Sequence, residues 1–310
     1  VSPRDIERAL DAAKAVAIPL DREVIHILPQ EYIVDDQRGI ADPMGMAGVR
    51  LEVKVHIVTG AVTSAQNIVR SCHKSGLDVS DIVLESLASA KAVLTEEERE
   101  IGVALIDLGG GTCDIAIFAN DSIKHTGVLA LGGQNLTNDI AFGLRTPMAA
   151  AEKIKIKHGA AIAEMVRPDE YIEVPSVGGR EPRRLSRQVL AEICEPRMEE
   201  ILTLLDQELV RSGLKNMIGA GVVLTGGTAL IQGCQELGEQ VFNLPTRIGY
   251  PRNVGGLKDM VNSPKFATAM GLLRFGAEKE GMEQKFRIRS DGNVFNSILS
   301  RMKKWFSEIS

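Results

Sequence analysis

The stretch that most constrains the fold of this chain is VALIDLGGGTCDIAIFAN, residues 103–120. An apolar run leads into Asp107, and three consecutive glycines and a threonine precede a second apolar run. Because glycines accept unusual backbone angles and carry no side chain, a strand–turn–strand of this kind can aim several backbone N–H groups at one anion. A plain glycine hairpin is the alternative, but two-residue turns need only one or two glycines. The pattern predicts a phosphate site at Gly109, Gly110, Gly111 and Thr112.

Two carboxylates near this turn are candidates for chemistry. Asp107 ends the first buried strand, where a carboxylate can hold a hydrated Mg²⁺. Glu85 lies in the alanine-rich helical segment 81–94, either as a solvated acid that complements the helix dipole or as a group that faces the nucleotide and orients a water. We therefore take Asp107 as the predicted metal ligand, and Glu85 with Asp107 as the predicted catalytic residues.

A second strand–glycine–helix pattern lies at 221–242, GVVLTGGTALIQGCQELGEQVF. Glycines at a strand end let a flat base or a ribose lie against the backbone, and the following helix N-terminus favours anions. One Gly-Gly pair alone is weak evidence, but its recurrence after a second buried strand supports a nucleotide site. Small-residue helices are predicted at 81–94 and 263–276.

Composition restricts the class of protein. The chain has 310 residues, 44% of them apolar and 25% charged, as in an ordinary globular protein of about two domains. Its net charge of −5 argues against bulk nucleic-acid binding, because no overall positive field exists. The four cysteines show no paired spacing for zinc or a redox dithiol. No run approaches the roughly 20 apolar residues of a spanning helix, and no signal peptide is evident, so we expect a cytosolic protein.

The first 80 residues predict an α+β module. Helices are expected at 3–17 and 64–75, strands at 24–28 and 32–34 with Pro29 between them, and a strand with strict alternation at 49–57. His26, His56 and His73 are isolated from other metal-ligand residue types, so we interpret them as polar edges of a core rather than ligands.

The middle of the chain predicts charged helices and a basic loop. AAAEKIKIKHG, 149–159, would by its bare pattern be a solvated helix face, and GGREPRR, 178–184, is a basic loop. A long helix is expected at 186–213, kinked at Pro196. Its predicted apolar stripe consists of Val189, Leu190, Ile193, Ile201, Leu205 and Leu209.

The tail combines a polar linker, 277–293, with an amphipathic segment, 294–310. Its apolar face consists of Phe295, Ile298, Leu299, Met302, Trp305 and Phe306. An aromatic-rich face flanked by basic residues is suited to lie in a lipid interface with its cations near anionic headgroups. The alternative is a terminal helix docked on the core. The polar spacer favours the membrane interpretation, because a docked helix needs no long tether.

Several motifs resemble a known family. DLGGGTCDIAIF resembles the second phosphate motif of the actin-like ATPases, LTGGTALIQG their adenosine motif, and 83–94 and 265–275 their two connecting helices. The match narrows to the FtsA family of bacterial cell-division proteins through LPQEYIVDD (28–36), GMAGVRLEVKVHIVT (45–59), VPSVGGREPR (174–183) and LAEICEPR (190–197).

The resemblance implies the α/β actin-like ATPase fold, which is ribonuclease-H-like, with an incomplete first lobe and an α+β SHS2 subdomain, also called 1C. The implied divisions are 1–80 for SHS2 (1C), 81–103 for a remnant of subdomain 1A, 104–144 with 217–276 for the nucleotide-binding subdomain 2A, 145–216 for subdomain 2B, 277–293 for a linker and 294–310 for a membrane-targeting helix.

The resemblance also implies partners and ligands. A chain of this family would bind ATP and Mg²⁺, form actin-like filaments with itself, and anchor the C-terminal peptide of FtsZ to the cytoplasmic face of the cell membrane at the division site. Its SHS2 subdomain would recruit later division proteins. Glu152 and Lys155 would contact ribose and adenine, Gly226, Gly227 and Thr228 would line the adenosine, and Arg183 and Arg197 would meet the acidic and hydrophobic FtsZ tail.

One departure from the family pattern affects these expectations. Actin-like ATPases have two phosphate hairpins, and the first, near the N-terminus, has no counterpart in this sequence. We interpret the chain as N-terminally shortened and expect impaired ATP binding and at most weak ATPase activity. The alternatives are a sugar-kinase-like or phosphatase-like enzyme of the same fold, and a pilus-assembly adaptor of the same superfamily.

Overall fold

The computed structural model of this chain describes residues 1–253, 255 and 261–282. Within the described part, Val1–Arg274 form one compact unit, and Phe275 begins a second. The helices are α1 (Pro3–Lys14), α2 (Val62–Lys74), α3 (Glu85–Val93), α4 (Glu96–Ile101), α5 (Gly133–Leu144), α6 (Met148–His158), α7 (Arg187–Arg211), α8 (Cys234–Phe242) and α9 (Ala267–Met282). The strands are β1 (Arg22–Val34), β2 (Gln37–Ile40), β3 (Leu51–Ala61), β4 (Val103–Leu108), β5 (Cys113–Ala119), β6 (Ser122–Leu129), β7 (Tyr171–Val174), β8 (Arg183–Ser186), β9 (Val222–Thr225) and β10 (Thr246–Ile248).

The N-terminal module, residues 1–80, is an α+β unit as predicted, built on an antiparallel sheet of order β2-β1-β3. Its first helix starts after Ser2 with a reciprocal capping box to Asp5, and it ends at Lys14, earlier than predicted. The prediction of two strands separated at Pro29 was wrong, because β1 runs without interruption. The register against β3 shifts between Pro29 and Glu31, and such an irregularity tolerates a residue without an N–H group.

The central sheet has the order β10-β9-β4-β5-β6. β4 pairs in parallel with β9 and antiparallel with β5, so Asp107 lies beside Thr225 on one side and Asp114 on the other. Because β4 and β9 run in the same direction, the two glycine motifs that follow them emerge at the same edge of the sheet.

Helices cover both faces of this sheet. Along β4, Ala104, Ile106 and Leu108 belong to the larger core formed with α5 to α8, whereas Val103 and Leu105 belong to a smaller core that includes α3 and the start of α9. A strand buried on both faces reads as a continuous apolar run, which is what the sequence shows at this point.

Helix α7 is the long helix predicted at 186–213, and it continues as one helix through Pro196. The kink expected at this proline stays a prediction. The stripe prediction was wrong at Val189, which is 41% exposed. The buried face instead consists of Leu190, Ala191, Cys194, Met198, Ile201, Leu202, Leu205 and Leu209.

The N-terminal module contacts the rest of the unit through polar groups. The Gln30 side-chain amide donates to the carbonyl oxygens of Ile123 and Lys124 at 3.0 and 2.9 Å. His56 Nε2 lies 2.8 Å from Thr126 Oγ1, and His26 Nε2 accepts the N–H of Leu84 at 3.0 Å. His26 and His56 are therefore polar edges of packed regions, as predicted, whereas His73 is exposed.

Candidate nucleotide site

The first glycine motif forms a tight turn between β4 and β5. The N–H of Gly109 donates to the carbonyl of Thr112 at 3.0 Å. A separate glycine pair, Gly132 and Gly133, lies against this turn at the start of α5. The N–H of Gly133 donates to Gly109 O at 2.9 Å. A Cβ on Gly132 would stand only 2.7 Å from Gly110 O, so this approach needs glycine.

The second glycine motif meets the first. Thr228 Oγ1 donates to Gly109 O at 3.0 Å. Gly226 has φ of +87°, and a Cβ there would lie 2.4 Å from Asp107 Oδ1. The structure therefore brings the two predicted motifs to one place, which the parallel pairing of β4 with β9 explains.

Three of these glycines border open space. A Cβ on Gly110 or Gly111 would meet nothing within 4 Å, and one on Gly227 would meet only Lys265 Cβ at 3.9 Å. Glycine is therefore not required at these positions to avoid contacts within the protein. A surface of glycines without side chains fits a ligand that lies directly on the backbone, as a nucleotide does at glycine-rich turns.

Helix α6 contributes a buried charged network to this edge. Lys155 Nζ donates to Gly133 O and Thr137 Oγ1, both at 2.9 Å, and lies 2.7 Å from Glu152. The interpretation of this helix as a solvated face was wrong for Lys155, which is buried. The predicted pair Glu152 and Lys155 thus lies beside the Gly132–Gly133 turn, and Thr137, whose hydroxyl also bonds Glu152, joins them.

The predicted carboxylates lie at the same edge. Asp107 is only 4% exposed and accepts hydrogen bonds from Ser89 at 2.7 Å and from Thr268 at 3.3 Å. Burial raises the pKa of Asp107, and these two hydroxyls oppose that rise. Partial burial raises the pKa of Glu85, and the negative charges of Asp114 and Asp107 add to it.

Sequence reasoning missed Asp114. This residue is buried, lies opposite Asp107 across the β4–β5 ladder and accepts a hydrogen bond from Thr112 at 3.2 Å. Burial raises its pKa, and the charge of Asp107 raises it further. Hairpin pairing was the available signal, since residues equally far from a turn centre face each other. Two carboxylates directly opposite are unfavourable without a neighbouring cation.

A metal ion would need ligands from the nucleotide. Among the described residues no three His, Cys, Asp or Glu side chains converge to hold a metal. Mg²⁺ is commonly bound by one or two carboxylates with phosphate oxygens and water. The predicted ligand Asp107 fits that role, because its Oδ1 accepts no hydrogen bond from the described part of the chain.

The predicted partner-binding arginines lie away from these glycine turns and already have internal partners. Arg197 on α7 binds Asp139 on α5 through Nε at 2.5 Å and Nη2 at 3.2 Å, and it also contacts Glu200. The hydrogen bond to Asp139 is the main cause of the raised pKa of Arg197. Arg183 donates to the carbonyl of Leu144 at the end of α5.

An apolar groove lies next to that helix end. It has a volume of about 370 Å³ and is lined by Ala141, Phe142, Gly143, Arg145, Thr146 and Val177. The Phe142 side chain is 88% exposed, and the buried Thr146 Oγ1 has no hydrogen-bond partner among the described residues. We call this surface the α5 groove.

The predicted membrane residues, Phe295, Ile298, Leu299, Met302, Trp305 and Phe306, lie outside the described residues. Within the described residues, no helix combines the length and apolar character that crossing a bilayer requires.

Comparison with known proteins identifies the family. A family model described as "Cell division protein FtsA" matches residues 104–271, and one described as "SHS2 domain inserted in FTSA" matches residues 1–59. The cell division protein FtsA of Pseudomonas aeruginosa is 50% identical, in an alignment that covers 98% of this chain and 74% of the relative.

Solved structures define the fold. MreB5 of Spiroplasma citri bound to ADP is similar with a TM-score of 0.58 and 20% identity, over 73% of this chain and 69% of that one. A PilM-PilN type IV pilus biogenesis complex gives a TM-score of 0.59 and 16% identity, over 89% and 74%. At such identities the likeness shows only the actin-like ATPase fold and gives no support to a pilus function. The chain belongs to the FtsA family of cell-division proteins, as its motifs predicted.

Proposed function

We propose that this chain is an ATP-binding, actin-like adaptor that anchors FtsZ to the cytoplasmic face of the cell membrane at the division site and recruits later division proteins. The observation that carries the proposal is the meeting of the two glycine motifs through Thr228 and Gly109. ATP acts in this proposal by stabilising lobe closure and filament formation, and hydrolysis is at most slow.

The proposed ligand is Mg·ATP. The backbone of Gly109–Thr112 binds phosphates, Asp107 holds the Mg²⁺, and Gly226, Gly227 and Thr228 line the adenosine. Glu152 and Lys155 contact ribose and adenine. A bound Mg²⁺ would neutralise charge on the phosphates and on the carboxylates, and Glu85 would orient a water. The open space above Gly110, Gly111 and Gly227 supports this assignment.

The first prediction concerns the proposed phosphate site at Gly109–Thr112. Gly110→Val places a side chain in the space assigned to the nucleotide, so we expect affinity for Mg·ATP to fall about tenfold or more, or about 1.4 kcal/mol. Isothermal titration calorimetry measures this. The control is Ala149→Val, which also introduces a valine, at an exposed position in the first turn of α6. Binding by the parent that Gly110→Val leaves intact would contradict the assignment, and no binding by the parent would remove the nucleotide part of the proposal.

The proposed domain roles follow the divisions of the sequence. Residues 104–144 and 217–276 supply the strands of the central sheet, which supports their assignment to subdomain 2A. Residues 145–216 form subdomain 2B, which docks the FtsZ tail, and 81–103 form the remnant of subdomain 1A. The module at 1–80 serves in filament contacts and recruits later division proteins, and 294–310 bind the membrane after the linker 277–293.

The α5 groove supports the docking of an acidic and hydrophobic peptide. Phe142 and Val177 offer apolar contact, and Arg145 and Arg183 offer positive charge at the same helix end. The guanidinium of Arg197 is held by Asp139, so it contributes to the peptide through its remaining N–H groups or by exchange of partner.

The second prediction tests this groove. Phe142→Ala removes its most exposed apolar contact, and we expect affinity for an FtsZ C-terminal peptide to fall by about 2 kcal/mol, the loss typical of an aromatic anchor. Fluorescence anisotropy of a labelled peptide measures it. Ile156→Ala on α6 is the matched control, because Ile156 is also a large exposed apolar residue, at 73%. Equal effects of both substitutions on peptide affinity would argue against the α5 groove as the docking site.

A further inference from the structure

Helices α3 and α9 approach each other through their backbones close to Asp107. A Cβ on Gly271 of α9 would lie 1.7 Å from the carbonyl oxygen of Ala88 on α3, so only glycine permits this approach. The next residue on α3, Ser89, and the residue one turn earlier on α9, Thr268, both contact Asp107. The helix crossing and the predicted metal ligand therefore share one small cluster.

The three side chains form a closed triangle of oxygens. Ser89 Oγ donates to Asp107 Oδ2 at 2.7 Å and lies 2.9 Å from Thr268 Oγ1, which in turn lies 3.3 Å from Oδ2. Ser89 is fully buried. Because an ionised carboxylate only accepts, Ser89 donates to Oδ2, and Thr268 Oγ1 can donate to Oδ2 or to the carboxylate of Glu85, whose pKa the hydrogen bond from Thr268 lowers.

The two oxygens of Asp107 are therefore used differently. Oδ2 is occupied by the hydroxyl groups, whereas Oδ1 faces Gly226 and accepts no hydrogen bond from the described residues. A carboxylate fixed through one oxygen presents the other in a defined direction, which is how an outer layer of hydrogen bonds orients a metal ligand.

We propose that Ser89 and Thr268 are positioning residues that orient Asp107 toward the cation of a bound Mg²⁺–nucleotide and, through the same hydrogen bonds, couple occupancy of the candidate nucleotide site to the packing of α3 against α9. This inference rests on the proposed nucleotide binding and adds its regulation. When a cation binds Asp107 and shifts its carboxylate, the hydrogen bonds to Ser89 on α3 and to Thr268 on α9 change together. Both hydroxyl groups lie next to the point where the two helices are in backbone contact.

A purely structural role for these hydroxyls predicts a different result. Loss of packing would lower nucleotide affinity equally with and without Mg²⁺. Loss of positioning would lower only the increase in nucleotide affinity that Mg²⁺ provides. Ser86 offers a matched control, since it is a buried serine on the same helix, and the side-chain hydrogen bonds that Asp107 accepts within the described residues come from Ser89 and Thr268 instead.

The experiment measures binding of ADP by calorimetry in Mg²⁺ and in EDTA for the parent, Ser89→Ala, Thr268→Val, Thr268→Ser and Ser86→Ala. We expect the Mg²⁺-dependent gain in affinity to fall about tenfold in Ser89→Ala and Thr268→Val, and to stay unchanged in Ser86→Ala and Thr268→Ser. Amide hydrogen exchange is the second readout: Mg·ADP should protect 85–93 and 267–274 in the parent, and this protection should be lost in the same two variants.

The experiment distinguishes a failure of the proposed nucleotide binding from a failure of the positioning role alone. A parent that binds no nucleotide overturns the proposed function and this inference with it. A parent that binds, with equal losses in Mg²⁺ and EDTA or equal effects of Ser86→Ala and Ser89→Ala, overturns only the positioning role. If Ser89→Ala fails to fold, the near-isosteric pair Thr268→Val and Thr268→Ser decides, because these variants differ in the hydroxyl group.

Discussion

At the scale of single residues, two histidines connect the N-terminal module to its neighbours by hydrogen bonds, and the bond of His26 requires a neutral ring. His26 accepts the N–H of Leu84 through Nε2, and a ring nitrogen can accept only when it carries no proton. Burial lowers the pKa of His26, and the charge of Asp81 partly opposes this. Burial also lowers the pKa of His56, and nearby His125 lowers it further.

The sign of the resulting pH dependence follows from these directions. Both pKa values are lower in the folded protein than in the unfolded chain, so the unfolded chain takes up protons first as the pH falls. We expect the contribution of these two histidines to the free energy of unfolding to be retained above about pH 6.5 and to decline below it. Urea titrations at several pH values should show that the free energy of unfolding declines less in the double variant His26→Gln/His56→Gln than in the parent. His73→Gln, at an exposed histidine, should keep the decline of the parent, and an unchanged profile in the double variant would contradict this account.

At the scale of elements, the packing of α3 on α9 depends on the missing side chain of Gly271. Alanine normally stabilises a helix relative to glycine by up to about 1 kcal/mol. At Gly271 the new Cβ would overlap a carbonyl oxygen of the neighbouring helix, whereas at Gly276 it would meet nothing within 4 Å. We therefore expect substitution by alanine to have opposite effects on stability at these two glycines of one helix.

We predict that Gly271→Ala destabilises the protein by about 1 to 3 kcal/mol, the range of overpacked cores. Gly276→Ala, the control on the same helix, should be neutral or stabilising. Thermal and chemical denaturation measure both. A stabilising Gly271→Ala would show that α3 and α9 separate without loss, which would also weaken the proposed coupling through Ser89 and Thr268.

At the scale of the whole molecule, membrane attachment is proposed for a segment beyond the described residues. The amphipathic pattern at 294–310 and the basic residues Arg301, Lys303 and Lys304 support binding to an anionic interface. The net charge of the chain is −5, so attraction to an anionic surface has to be local to the tail.

We expect the full chain to sediment with anionic lipid vesicles and Trp305→Glu to remain in the supernatant, because a carboxylate on the apolar face opposes insertion. Ser300→Glu introduces the same charge outside that face and should release the protein much less. Equal sedimentation of Trp305→Glu and the parent would leave the membrane part of the proposal without support.

Much of the site could be predicted because turn chemistry is local. Gly109–Thr112 and Gly226–Thr228 stand out as glycines at the ends of apolar runs, and the structure brings these turns together. Asp114 was predictable in principle from hairpin pairing with Asp107. The burial of Lys155 was not predictable from the sequence, because its helix carries charged residues on most sides. The buried ammonium group is explained by its contacts with the carbonyl of Gly133 and the side chains of Thr137 and Glu152.

The sequence by itself determined the family, the α/β character and the glycine turns, because each depends on neighbouring residues and their periodicity. Only the tertiary structure decided that β4 pairs in parallel with β9, that Ser89 and Thr268 meet at Asp107, and that Arg197 is neutralised by Asp139. These contacts join residues far apart in the chain. Their formation is decided by which surfaces pack and which charges lose water, and no local pattern encodes that.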